Sequence, residues 1–248
     1  NALTKQRAPA ANFPFTTIDP NVGVVTVPDE RLDALSKMSR SEKTVPTTIE
    51  FVDIAGLVKG AHTGEGLGNQ FLAHIREADA IAEVVRFFPS GDVVHVAGAV
   101  NPIADVETIE TELALADLQT IEVMLERAAR DAKSGDSRLV RRAAAIKKFR
   151  DALAAGQPAR TVELGPSETE TVRDVRLLTQ KPVLYVANLD EEQIKTASDI
   201  TRVFAERFRP VVPLSVKIEQ ELSELGPDER VTFLAEYGLT HSGLDDLI

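Results

Sequence analysis

Three stretches of this chain put polar groups at places where an α/β protein does chemistry. The first, Thr47 to Gly68, reads TTIEFVDIAGLVKGAHTGEGLG. Its apolar, largely β-branched run (Ile49, Phe51, Val52) predicts a buried strand with Asp53 at its end. A carboxylate at the tip of a buried strand is costly unless something positive meets it. In phosphate-handling α/β proteins that partner is a Mg²⁺ ion held through water, and Gly56 would then offer its N–H to a terminal phosphate. Gly60, Gly64, Gly66 and Gly68 allow the following loop to change shape. By itself Asp53-x-x-Gly56 reads equally well as an Asp-capped turn, because one short motif discriminates poorly. The second stretch is Asn188-Leu189-Asp190-Glu191 and the third Ser215-Val216-Lys217, each directly after an apolar run. Upstream, a proline-punctuated loop carries the adjacent hydroxyls Thr16 and Thr17. A metal-linked carboxylate, a mobile hydroxyl, a base-reading loop and a supporting serine loop are the parts of a nucleotide switch.

The elements that must hold these groups follow from hydrophobic period. Val22 to Val27, the Ile49 run, Ala80 to Phe88, Pro182 to Ala187 and Arg209 to Leu214 read as strands. Between them lie helices over Asp29 to Met38, Asn69 to Ala78 and Ser198 to Arg207, and two acidic helices finish the chain, the last begun by Ser242-Gly243. Strands alternating with helices predict an α/β fold, a mostly parallel sheet covered on both faces, with ligands at the carboxyl ends of the strands. From Ile103 to about Leu178 the character changes. Val106, Ile109, Leu113, Leu118, Ile121 and Leu125 recur at helical spacing, Lys133 to Ser137 is a turn, and Leu139 to Ala155 is a second helix. A helical hairpin domain (103–178) is thus inserted into a domain made of 1–102 and 179–248.

Composition narrows the class. With 43% hydrophobic and 27% charged residues the chain reads as an ordinary soluble globular protein, and no apolar run is long enough to cross a bilayer. The absence of cysteine excludes disulfides and thiol catalysis and fits a reducing, cytoplasmic setting. A net charge of −11 argues against broad electrostatic binding to nucleic acid, although a local basic patch exists. The start, Asn1-Ala2-Leu3, has neither an initiating Met nor a signal core, which suggests a chain that begins mid-protein.

On the stretches ANFPFTTIDPNVGVV, EFVDIAGLVKGAHTGEGLGNQFLAHIREADAI and VVHVAGAVNP the chain closely resembles the YchF / Obg-like ATPase family, a branch of the Obg GTPases in the translation-factor class. The resemblance covers essentially the whole chain and implies a P-loop NTPase G-domain-type sheet with the hairpin inserted. It also implies missing parts. In the family a G-x-x-x-x-G-K-S/T loop precedes the segment matching Asn1, and a small TGS domain follows the segment ending at Ile248; neither occurs in these 248 residues. As written, the chain would lack the lysine and backbone nest that hold phosphates, and its hydrolysis would be impaired.

The resemblance assigns roles residue by residue. Thr17, rather than Thr16, would join the Mg²⁺ shell; Asp53 would hold the ion through water; Gly56 would sense the γ-phosphate. Many GTPases place a water-orienting glutamine where this chain has Leu57, which cannot polarise water. The catalytic group implied is His95, with His62 second; each is also compatible with a structural role. The usual guanine reader is Asn-Lys-x-Asp, but here Leu189 stands for the lysine and Glu191 for the aspartate. A carboxylate placed for guanine would face the N1 lone pair of adenine, whereas a longer glutamate can turn away and leave Asn188 to meet the 6-amino group. ATP is therefore expected over GTP, with Ser215 and Val216 framing the base. The other reading of this run is an acidic helix cap at Asp190. Arg138, Arg141, Arg142, Lys147, Lys148 and Arg150 lie in a run without acids, and the resemblance implies a ribosome or rRNA partner they could contact, a solvated helix face being the alternative. The expected function is a slowly hydrolysing, ATP- and Mg²⁺-dependent regulatory switch. A GTPase of the Obg type and a non-catalytic, nucleotide-tuned adaptor are the alternatives.

Overall fold

The computed structural model describes residues 21–54, 67–89 and 100–248. In chain order the elements are β1 (Asn21–Thr26), α1 (Glu30–Ser39), β2 (Thr48–Asp53), α2 (Leu67–Glu77), β3 (Ile81–Arg86), α3 (Pro102–Asp131) and α4 (Ser137–Ala154). They continue as α5 (Pro166–Thr171), β4 (Val183–Asn188), α6 (Ala197–Arg207), β5 (Val211–Leu214), α7 (Val216–Glu224), α8 (Pro227–Glu236) and α9 (Gly243–Leu247). Two compact units result: 21–54, 84–89, 100 and 185–248 make one, 67–83 and 101–184 the other.

In the first unit, β1 and β2 form an antiparallel pair, with Val22 opposite Val52, Gly23 opposite Phe51 and Val25 opposite Ile49. The expected α/β class holds, with helices around a parallel sheet, but among the described residues the hydrogen bonds make two sheets rather than one, and this pair is antiparallel. The strand ending in Asp53 is also less buried than its apolar run suggests, because an antiparallel pair can leave one face wet. Val22, Val24 and Val52 stay exposed on that face, while Ile49 and Phe51 are half-buried on the other. The second sheet, in the order β3-β4-β5, has the expected parallel character. Tyr185 pairs with Val211 and Asn188 with Leu214. On the other side, Ile81 N–H bonds Pro182 O and Phe87 N–H bonds Asn188 O at the same offset.

Its central strand is the most apolar, with Tyr185, Val186 and Ala187 buried. α6 closes one side through Phe204, whose ring meets Phe87, Tyr185 and Phe208 at centroid distances of 5.3, 5.8 and 4.8 Å. Leu189, Ile194, Ile218 and Leu222 form a further core, flanked by Phe233, Leu234 and Tyr237. Three helices follow β5 rather than the two expected. Leu225 leaves α7 in an extended conformation, and Pro227, whose ring suits a first helical turn, starts α8.

The second unit is built on α3 and α4. Asn101 caps α3 by accepting the Ala104 N–H at 3.2 Å, and Asp136 caps α4 by accepting Arg138 N–H at 2.7 Å. Gly135, at φ 80°, supplies the left-handed turn between them. Ile121 and Ala128 pack against Ala145, Ile146, Phe149 and Leu153, and the returning segment seals this core with Val172, Val175 and Leu177. A fully buried acid, Asp117, pins that return: its carboxylate accepts the N–H of Leu178 at 2.8 Å and the N–H and hydroxyl of Thr179 at 2.7 Å each.

Candidate functional site

Asn188, Leu189, Glu191, Ser215 and Val216 converge where β4 and β5 end. Parallel pairing places Asn188 beside Leu214, so the residues that follow each strand leave the sheet together. Asn188 Oδ1 accepts the Val216 N–H at 3.2 Å, and Leu189 N–H donates to Leu214 O at 2.9 Å. The Leu189 side chain is 1% exposed and packs on Ile194, Ile218 and Leu222, so it offers a ligand only its backbone. Glu191 pairs with Lys217, and its carboxylate holds the Lys217 ammonium above the usual range. Ser215 is 2% exposed and precedes α7, yet its hydroxyl has no hydrogen-bond partner among the described residues. A buried hydroxyl without a protein partner is rare, and an ordered water or a ligand atom is what would satisfy it.

The cap reading of Asp190 also holds. Its Oδ1 accepts the N–H of Glu192 at 3.0 Å and of Gln193 at 2.7 Å, opening a short 3-10 turn over Gln193–Thr196. Gln193 then ties this loop to the end of β3, accepting the Asp190 N–H and donating to Phe87 O at 3.2 Å. Capping thus occupies Asp190, and the flanking Asn188 and Glu191 point to other partners.

Asp53 is the last residue of β2, opposite Asn21, and is exposed. No group of three or more His, Asp or Glu able to hold a metal occurs among the described residues. Asp53 could serve Mg²⁺ only with waters and phosphates completing the shell, the usual way that ion is bound. Thr16, Thr17, Gly56, Leu57, His62 and His95 lie outside the described residues.

The basic run on α4 is less available than its sequence suggests. Arg142 forks onto Asp174 at 2.6 and 2.8 Å and also donates to Thr171 O. Lys148 pairs with Glu168, and Lys147 and Arg150 share Asp151. Only Arg138 and Arg141 of this run have no ion pair among the described residues. Elsewhere in that unit, Glu83 in β3 is pushed up to about 8, first by burial and then by the nearby Glu110, against the pull of Arg160.

Sequence reasoning included Lys217 in the third stretch without giving it a partner, and it passed over Gln193, Glu219 and the pair Ser242-Gly243 as parts of this site. Ser242-Gly243 shows as a helix start, which it is: Ser242 Oγ accepts the Leu244 N–H at 3.1 Å. Its second role, gripping Glu219 in α7, needs a contact 23 residues away that no local pattern records.

Comparisons with known proteins bear on the family. Residues 1–125 match a family described as 50S ribosome-binding GTPase. The whole chain aligns with the ribosome-binding ATPase YchF of Bacillus subtilis (strain 168) at 46% identity, covering 69% of that protein. It aligns likewise with that of Escherichia coli O157:H7 at 45% identity and 69% coverage. Among solved structures, that of the Schizosaccharomyces pombe YchF GTPase superposes with a TM-score of 0.76 at 33% identity, over 99% of this chain and 68% of the other.

Proposed function

This chain belongs to the YchF family of P-loop NTPases, and from that membership we propose that it binds ATP, hydrolyses it slowly and works as a ribosome-associated switch. Residues 1–102 and 179–248 would form the nucleotide-binding part and 103–178 the inserted helical hairpin. No helix among the described residues is long and apolar enough to cross a membrane, and a cytoplasmic place is what a ribosome partner requires.

The preference for adenine is carried by the junction at the ends of β4 and β5. Guanine recognition needs a free carboxylate for N1–H and the 2-amino group. Here Glu191 is engaged by Lys217, and the lysine position is a core leucine. Asn188 keeps a second lone pair on Oδ1 for a 6-amino donor and its NH₂ for a ring nitrogen. The orphan Ser215 hydroxyl and the first turn of α7 border the same place. Thr17 and Asp53 would hold Mg²⁺, Gly56 would meet the terminal phosphate, and His95 would orient the attacking water that Leu57 cannot. When bound, Mg²⁺ supplies charge neutralisation for the phosphates.

Titration of the purified protein with ATP and with GTP, each with Mg²⁺, tests the reading by calorimetry. ATP should bind at least about tenfold more tightly, the value of roughly one well-matched polar contact. GTP binding equally or more tightly would return the chain to the GTPase reading, which the name of the Schizosaccharomyces pombe structure favours. His95→Ala should keep ATP binding and lose hydrolysis. Unchanged hydrolysis would favour an adaptor whose nucleotide only tunes shape.

A further inference from the structure

The first turn of α7 is held from two sides. On one, Val216 N–H meets Asn188 and Lys217 meets Glu191. On the other, Glu219 turns away from the junction and grips the start of α9. Glu219 is 4% exposed and uses both carboxylate oxygens: Oε1 accepts the Gly243 N–H at 2.8 Å and Oε2 accepts the Ser242 hydroxyl. A carboxylate this buried persists only where charge-assisted hydrogen bonds replace its water. The grip has no slack, since a Cβ on Gly243 would lie 2.6 Å from Leu214 Cβ. Leu214 is the residue before Ser215, and its carbonyl accepts the Leu189 N–H. Glu219 N–H in turn donates to Ser215 O at 3.0 Å.

We propose that Glu219 is a positioning residue for the nucleotide base: by clasping Ser242 and Gly243 it fixes the turn that presents Ser215 and Val216. The inference rests on the reading of Ser215 and Val216 as the base-side loop. What separates it from plain helix packing is the Ser215 hydroxyl, buried one helical turn from Glu219 without a partner among the described residues. A clasp that served packing alone would have no reason to keep that hydroxyl buried and unmatched. A clasp that serves recognition holds it ready for a ligand atom, and so reduces the ordering that binding must otherwise supply.

The test compares wild type, Glu219→Ala, Glu219→Gln and Ser242→Ala in the purified protein. ATP, GTP and inorganic tripolyphosphate are titrated by calorimetry, with a thermal melt for each variant. E219A should lose roughly tenfold in ATP affinity and narrow the ATP-to-GTP ratio, while tripolyphosphate, which has no base, binds as before. E219Q keeps one acceptor, and S242A removes one donor; each should fall between wild type and E219A. These milder variants keep the test decisive if E219A does not fold. An unchanged ATP affinity and ATP-to-GTP ratio in folded E219Q and S242A would overturn the proposal, even with a lowered Tm, and leave Glu219 a purely architectural group. Wild type binding ATP no better than tripolyphosphate would overturn the base-site reading itself, and this inference with it.

Discussion

Asp117 and Glu219 are both buried acids that reach across the sequence to hold a turn, one in the hairpin unit and one beside the junction of β4 and β5. Around Asp117 the polar groups close on themselves. Its three donors come from Leu178 and Thr179, and Thr179 Oγ1 also accepts the Ala159 N–H at 3.0 Å. Glu219 is just as well satisfied, but one helical turn away sits the unmatched hydroxyl of Ser215. A network with no loose end is architecture. A network that ends on a buried, unmatched group beside Asn188 and Val216 is what the proposed base site would need. Burial does not distinguish the two carboxylates, and three accepted hydrogen bonds against two is a small difference; what lies at the end of each network separates them.

Near neutral pH, removing Asp117 should give the largest effect. Asp117→Ala strands two buried N–H groups and weakens a hydroxyl, a loss of about 4 kcal/mol in stability. Urea melts measure it, and the molecules that remain folded should bind ATP with wild-type affinity. A folded D117A variant with normal stability and weakened ATP binding would break the comparison. Glu83→Gln comes next and depends on pH. Burial raises the Glu83 carboxyl to about 8 in the folded protein, so the folded state keeps a proton that the unfolded chain releases near its ordinary value of 4.5. The wild type therefore loses stability as pH rises from about 4.5 to 8, on the order of 5 kcal/mol by linkage across the whole window. E83Q has no proton to lose. It should melt close to wild type at pH 5 and clearly above it at pH 8.5, and equal melting temperatures at both would refute the assignment.

Much of this was legible from the chain, because period and strand-end chemistry are local. The α3–α4 hairpin follows from apolar spacing between Val106 and Leu153, and the strand-end residues Asn188 and Ser215 stood directly after apolar runs. What could not be read is non-local. The run containing Phe51 and Val52 does not encode whether one face or two will be covered, so a half-wet antiparallel pair looks like a buried strand. Arg142 and Lys148 look available because their acids, Asp174 and Glu168, lie 32 and 20 residues on. Glu219 reads as one more acid in an acidic helix. The residues proposed for the phosphate side, Thr17, Gly56 and His95, lie outside the described residues, so on that side the sequence remains the guide.

The same contrast between closed and open networks divides the basic run on α4, and it gives the smallest effects on stability. Arg142 belongs to the closed kind: Asp174 takes both arms of its fork, holding the carboxyl below its ordinary range, and Thr171 O takes a third bond. Since Asp174 is largely exposed, solvent discounts that pair, and Arg142→Ala should cost only about 1–2 kcal/mol. Arg138 and Arg141 are the open kind, near the turn that joins the two helices. Reversing both to Glu should leave stability within about 0.5 kcal/mol. If the hairpin tip grips phosphates, the same reversal should weaken co-sedimentation with ribosomes, and wild-type binding should fall steeply with added salt while the double variant's falls less. Arg142→Ala in the same assay is the control, because its guanidinium is already committed and should be nearly silent. Equal co-sedimentation of wild type and the R138E/R141E variant at low salt would assign the tip to solvent and leave the ribosome to another surface of the molecule.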